Sequence, residues 1–190
     1  CASVPEAEEV ETLKWMIDLV QEVTDTPICV DSPSARSCVA AIPFCKRPGL
    51  INSVSLEGDK IDTIFPVIAD TDWECVALLC DNDGIPDFVE RRMKIFFGIM
   101  EKAKQYGIAP SRLHIDPLVV TLGTDQTALT VFADCCRRIK YEYPEIHITS
   151  VLSNISFGLP VRKNINQAFM VLAMNAGMDS AIVDPTNKNM

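Results

Sequence analysis

The chain has 190 residues, of which 48% are apolar and 23% charged, the balance of an ordinary globular protein and not of a disordered one. Seventeen Lys and Arg face 26 Asp and Glu, a net charge of −9, which argues against a nucleic-acid partner, since binding a phosphate backbone needs a basic stripe. No apolar run reaches the ~18 residues a transmembrane helix needs, so no membrane span is expected.

In chain order, the start Cys1-Ala2-Ser3-Val4-Pro5 has neither an initiator Met nor the pattern of a signal peptide, and is expected to be a cut end. Residues 5–24 carry Val10, Leu13, Ile17 and Val20 at helical spacing. The extended run Pro27-Ile28-Cys29-Val30 then ends in Asp31-Ser32, and a helix is predicted from about 34 to 45. Leu50 to Ser55 is extended, 61–71 helical, and Cys75 to Cys80 a continuous apolar run ending in Asp81. A long helix over 87–106 closes on Gly107, with Val89, Met93, Phe96, Phe97 and Met100 as its barrel-facing stripe. Leu113 to Leu118 is extended around Asp116-Pro117, and Thr124 can cap a helix to about 141. His147 to Leu152 is extended into Ser153-Asn154, a helix over 161–176 closes on Gly177, and Ser180 to Val183 runs into Asp184-Pro185.

Six strand-like runs thus alternate with helices, and several are apolar without alternation, as in a parallel sheet buried on both faces. No linker or composition break divides the chain, so residues 1–190 are expected to form one domain. Two α/β architectures fit: an open doubly wound sheet, or a (β/α)8 TIM barrel. A full barrel has eight strands in about 250 residues, so the favoured reading is a partial barrel with six of the eight strands, truncated at both ends. An open sheet of this size would leave apolar edges uncovered.

Eight cysteines could form four disulfides by number alone. Cys29, Cys75 and Cys80 lie in strand-like runs and Cys135-Cys136 mid-helix, and a core of this size needs no staples, so reduced thiols in a cytoplasmic setting are expected. There is no CxxC pair and there are only two His, so no metal site is expected. His114 and Asp116 share a strand face and could ligate a metal, but with no other His nearby a hydrogen-bonded core His is the better reading. Asp81-Asn82-Asp83-Gly84 follows a strand and is read as a solvated loop, not a calcium loop.

Chemistry in parallel α/β folds sits at the carboxyl ends of the strands. Here those ends read Asp31-Ser32, Asn52-Ser53, Asp81-Asn82-Asp83, Asp116, Ser153-Asn154 and Asp184. Any one of them can be a turn residue. Together they form a rim of acceptors suited to a neutral ligand with several N–H donors, such as a pterin or a guanine-like ring, or to a metal. A phosphate ligand would call for backbone amides and basic residues, and neither a P-loop nor GxGxxG is present.

Asp31-Ser32, Ile51-Asn52-Ser53, Ile115-Asp116-Pro117-Leu118, Leu152-Ser153-Asn154-Ile155-Ser156-Phe157-Gly158-Leu159-Pro160 with Arg162 and Asn164, and Ala173-Met174-Asn175-Ala176-Gly177-Met178-Asp179 together resemble one group of proteins. These are the methyltetrahydrofolate-dependent corrinoid protein methyltransferases, close to the folate domain of cobalamin-dependent methionine synthase and more distantly similar to dihydropteroate synthase. The resemblance implies a TIM barrel that binds methyltetrahydrofolate at its C-terminal rim. It implies methyl transfer to the Co(I) of a corrinoid (cobalamin) carried by a partner protein, in a chain expected to pair as a homodimer. It places pterin binding on Asp31, Asn52 and Asp116, catalysis on Asn154, and Ser153 in the same turn. Phe157 stands where the acetogenic branch has Gln, which moves the chain towards the methionine-synthase pattern or a demethylation system. Two alternatives stay open. A dihydropteroate synthase-like enzyme would be expected to carry basic residues at several strand ends, where only Arg162 and Lys163 sit suitably. A non-catalytic folate-binding barrel would have no use for Asn154.

Overall fold

The computed structural model describes residues 4–186. Helix α1 (Glu6–Val23) leads into strand β1 (Cys29–Asp31) and helix α2 (Ala35–Ala41), which continues as a 3-10 turn over Ile42–Phe44. Then follow β2 (Leu50–Leu56), α3 (Lys60–Ile68), β3 (Glu74–Asp81), α4 (Val89–Tyr106), β4 (Leu113–Asp116), α5 (Ala128–Glu142), β5 (His147–Ile148) and α6 (Arg162–Ala176). A 3-10 turn over Leu152–Ser156 lies between β5 and α6.

All four strand pairings are parallel, and the sheet order is β1-β2-β3-β4-β5, the order of the chain. This decides between the two architectures. A doubly wound sheet reverses its strand order at a switch point. A sequential order with right-handed crossovers puts every helix on the same side. The helices indeed pack neighbour on neighbour, α1 on α2 and so on to α6. The fold is an arc of a (β/α)8 barrel.

The sixth expected strand is not a full strand. Ser180 N–H donates to the Ile148 carbonyl at 3.1 Å, Ile182 N–H to that of Ser150 at 2.9 Å, and Leu152 N–H to that of Ile182 at 3.2 Å. This is a parallel pattern, yet it yields only the single bridge Val151–Ile182. On one side the chain coils into the 3-10 turn at Leu152, and on the other Pro185 has no N–H to extend a ladder. The same coiling shortens the expected run 147–152 to His147–Ile148.

Helix ends follow local chemistry. The Ser34 hydroxyl accepts the Ser37 N–H at 3.2 Å and starts α2. Gly107 closes α4 with φ 74° and Gly177 closes α6 with φ 118°, left-handed conformations that cost glycine little. Helix α5 begins four residues later than Thr124, because the Asp125 carboxylate takes the N–H (2.8 Å) and hydroxyl (2.7 Å) of Thr127 in a turn of its own.

Strand side chains alternate between two faces. Val30, Ile51, Cys75, Leu113, Ile115 and Ile148 are buried on the helix side, against Ile64, Phe65, Phe96 and Phe132 among others. Two apolar stripes need correction. On α1 the buried line is Glu9, Leu13 and Ile17, while Val20 is exposed. On α4 Phe97 is 43% exposed, and Arg92 takes a buried place beside Val89, Met93 and Phe96. All seven cysteines among the described residues are free thiols.

Candidate functional site

The face opposite the helices carries the polar residues. Asp31 is the register partner of Asn52, Asn52 of Val76, Val76 of His114, and His114 of His147. Asp116, two residues beyond His114, is on the same face, level with Leu78 of β3. Asp31 and Asp116 therefore look into the inside of the arc from the carboxyl ends of β1 and β4. Asn52, expected to end its strand, is the third residue of β2, which runs on to Leu56 against β3; it faces the inside from within the strand, level with Asp31. Asp31 is exposed, Asn52 half-buried and Asp116 buried. The peptide joining Asn52 to Ser53 is cis, and the register of β2 against β3 shifts just beyond it.

Asp116 has the most distinctive surroundings of the three. It is 3% exposed, and one carboxylate oxygen accepts the Leu118 N–H at 2.8 Å. Leu118 adopts φ +64°, in the left-handed region that a non-glycine residue enters only when its surroundings hold it there. Burial pushes the Asp116 carboxyl up to about 7, against the opposing pull of the Leu118 amide and the Arg92 guanidinium. A carboxylate so placed gains most from a ligand that donates to it.

Ser153 and Asn154 do not end a strand. Both are exposed in the 3-10 turn, at the same end of the sheet as the other strand termini. The turn is fixed from beneath. The Ser156 hydroxyl donates to Asn166 Oδ1 at 2.7 Å, and both residues are buried. Arg162 donates Nε to the Ser156 hydroxyl and Nη2 to the Ser153 carbonyl, each at 3.0 Å, with its guanidinium 5.9 Å from the centre of the Phe157 ring. The turn is also tied to the loop after β4: Leu122 N–H donates to the Ile155 carbonyl at 3.0 Å, and the Thr121 hydroxyl to that of Phe157 at 2.7 Å. The loop after Asp116 and the turn holding Asn154 are thus one connected unit.

The remaining rim residues serve local purposes. Asp81 and Asp83 both pair with Arg91, and Asn82 accepts the Gly58 N–H at 2.9 Å. Asp184 takes the N–H and hydroxyl of Thr186. The His114 Nε2 lies 2.6 Å from Glu74 Oε2, and its ring stacks on His147 at 4.8 Å. Among the described residues no cluster of three His, Cys, Asp or Glu could hold a metal ion, and no helix is long and apolar enough to cross a membrane.

Two buried charged residues escaped the sequence reading. Glu9 of α1, 4% exposed, accepts the Ser32 hydroxyl at 2.8 Å and so steadies the turn that follows Asp31. Arg92 is 1% exposed; it donates Nε to the Pro86 carbonyl at 2.8 Å and Nη1 to those of Pro117 at 2.7 Å and Leu118 at 2.8 Å. The signal was available in both cases. Glu9 is four residues before Leu13, and Arg92 is three after Val89 and four before Phe96, which are apolar-stripe positions.

The chain is 50% identical, over its whole length and 71% of the relative's, to the methylcorrinoid:tetrahydrofolate methyltransferase of Eubacterium limosum. It is 30% identical to the methionine synthase of Mycobacterium leprae over 92% of the chain, which spans 15% of that much longer protein. Among solved structures, the dihydropteroate synthase of Xanthomonas albilineans in complex with 7,8-dihydropteroate superposes with a TM-score of 0.69 at 19% identity, covering 94% of this chain and 69% of that one. At that identity the likeness speaks for the fold alone. The family model described as pterin binding enzyme matches residues 2–184, and the chain belongs to that family.

Proposed function

We propose that the protein is a methyltransferase that moves the N-5 methyl group between methyltetrahydrofolate and the Co(I) corrinoid of a partner protein. The observation that carries this reading is that Asp31, Asn52 and Asp116 share the inner face of the sheet, while the loop after Asp116 is hydrogen-bonded to the turn that bears Asn154. The 50% identity to a protein named for methylcorrinoid and tetrahydrofolate supports it. In this reading residues 1–190 belong to a single pterin-binding barrel domain.

The residue chemistry fits the substrate. A reduced pterin presents an adjacent amino group and ring N–H, and a carboxylate accepts from both. Asp116 and Asp31 hold those donors, and Asn52 reads another edge nitrogen. Their contribution is positioning, which turns an encounter into an oriented reaction. Asn154 acts at N-5. When the N-5–methyl bond breaks, the nitrogen keeps the electron pair and takes a proton from solvent, while a hydrogen bond from the Asn154 carboxamide grows stronger as that charge develops. In the reverse direction the N-5 lone pair, freed from that hydrogen bond, attacks the methyl group, and the N-5 proton of tetrahydrofolate leaves to solvent. Ser153 lines the turn, and its backbone carbonyl anchors Arg162. The corrinoid supplies the cobalt centre that takes or gives the methyl group, so this chain has no need to activate it.

Pairing of two copies and a cytoplasmic setting belong to the same proposal. Exposed Met170, Val171, Leu172 and Met174 on α6 offer apolar area for pairing, and the free thiols suit a reducing compartment. Sedimentation of the full-length protein would give the mass of a dimer.

The deciding experiment is a methyl-transfer assay with the purified full-length protein. Methylcobalamin plus tetrahydrofolate, and cob(I)alamin plus methyltetrahydrofolate, are each followed by the cobalamin spectrum. Transfer in either direction is expected. Folate binding without transfer would leave a folate-binding barrel, and pyrophosphate release from a pterin pyrophosphate would favour the synthase reading.

A further inference from the structure

We propose that Arg92 is a positioning residue for Asp116: by gripping the carbonyls of Pro117, Leu118 and Pro86 it locks the turn whose amide fixes one carboxylate oxygen, leaving the other for the pterin's N–H donors. This rests on the reading of Asp116 as a pterin-binding group.

The geometry is that of a clamp. Arg92 belongs to α4, whereas the carbonyls it holds come from two different loops, Pro86 after β3 and Pro117 and Leu118 after β4. A planar guanidinium with several fixed donors can bridge such points; a lysine ammonium cannot span them in the same way. The Leu118 amide and the Leu118 carbonyl are engaged by different partners, Asp116 on one side and Arg92 on the other. The residue between the two contacts sits at φ +64°, a conformation the two contacts hold from both sides. A buried cation bonded to three carbonyls is costly to maintain for packing alone. Its placement has a second effect, since its charge favours the ionised form of the buried carboxyl beside it.

The groups around Asp116 are few. From α4 comes Arg92, and from α5 the buried Cys136, whose thiol burial pushes up so that it stays neutral. On β3 its register partner is Leu78, and on its own strand His114 is engaged with Glu74. Arg92 is therefore the positive group acting on this carboxyl.

The test is tetrahydrofolate affinity measured from pH 5.5 to 9 on the full-length protein and on Arg92→Gln, Arg92→Lys and Asp116→Asn. Wild type should bind well above about pH 7 and lose affinity about tenfold per unit below it, as the carboxylate takes a proton. Arg92→Gln should move that break to higher pH and weaken binding more than tenfold at pH 7. Arg92→Lys keeps a charge but not the clamp, so it should weaken binding at every pH while the break stays nearer its original place. Asp116→Asn should abolish the break. Wild-type affinity and an unmoved break in both Arg92 variants would overturn the proposal. If Arg92→Gln does not fold, Arg92→Lys decides alone: unchanged affinity refutes the clamp. Failure of wild type to bind tetrahydrofolate at any pH would refute the functional reading instead, a separate result.

Discussion

The Ser156 hydroxyl donates to Asn166 Oδ1 across 2.7 Å while accepting Nε of Arg162 at 3.0 Å, so a buried serine links the turn that carries Asn154 to helix α6. Ser156→Ala leaves the Asn166 carbonyl and the Arg162 Nε–H without that partner. It should cost about 1–3 kcal/mol of stability, the usual penalty for orphaning buried polar groups. Methyl transfer should fall as well, because the turn loses its anchor. Urea denaturation and the transfer assay on one preparation check both effects.

Asn154 itself is exposed, and its substitution should separate chemistry from folding. Asn154→Ala should lower the transfer rate roughly 10²-fold, as for loss of a donor to a developing negative charge. Stability should stay within about 0.5 kcal/mol, as for most surface changes. Single-turnover kinetics at saturating folate, with thermal unfolding alongside, measures the two. An unchanged rate removes Asn154 from the mechanism.

Asp116 gives a pH signature in stability. Its carboxyl titrates near 7 in the folded protein against an ordinary 3.8, so between those values the folded state holds the extra proton. Stability contributed by this group is therefore full below about pH 4 and declines as pH rises towards 7, by about 4 kcal/mol in all. Asp116→Asn should remove this decline, making the variant's stability less dependent on pH over the same range while its folate affinity drops. Chemical denaturation at pH 4.5 and pH 8 tests the sign: a wild type that gains stability relative to the variant on going to pH 8 would contradict it.

The Glu9–Ser32 contact predicts a non-additive pair. Ser32→Ala leaves a nearly buried carboxylate without its hydroxyl donor and should cost about 1–3 kcal/mol. Adding Glu9→Gln removes the buried charge, so the double variant should be less destabilised than the sum of the two singles. A double-mutant cycle by urea denaturation measures the coupling.

How far the sequence revealed the protein can be judged residue by residue. The helix–strand alternation was legible because the apolar runs of a parallel sheet and the stripes of its helices have different periods, and Gly107 and Gly177 marked helix ends that the structure keeps. Strand order was not legible, since barrel and doubly wound sheet share one element order until pairing is seen. Asp31 and Asp116 were visible as strand ends; Asn52 was read as one too, but β2 runs four residues past it, and the register puts all three on one face. The coil at Leu152 was hidden, because Val151-Leu152 reads as extended until Leu152 is seen to begin a 3-10 turn. Glu9 and Arg92 stood at legible apolar-stripe positions, but their partners, Ser32 and the Pro86, Pro117 and Leu118 carbonyls, appear only in the tertiary structure.

The bonds from Thr121 and Leu122 to Phe157 and Ile155 reach beyond local order. Barrel rims are often treated as interchangeable segments, each free to diverge without its neighbours. Here two adjacent segments are stitched together, so grafting either one alone from a homologue would sever the seam, and new specificity would have to be introduced by exchanging both at once.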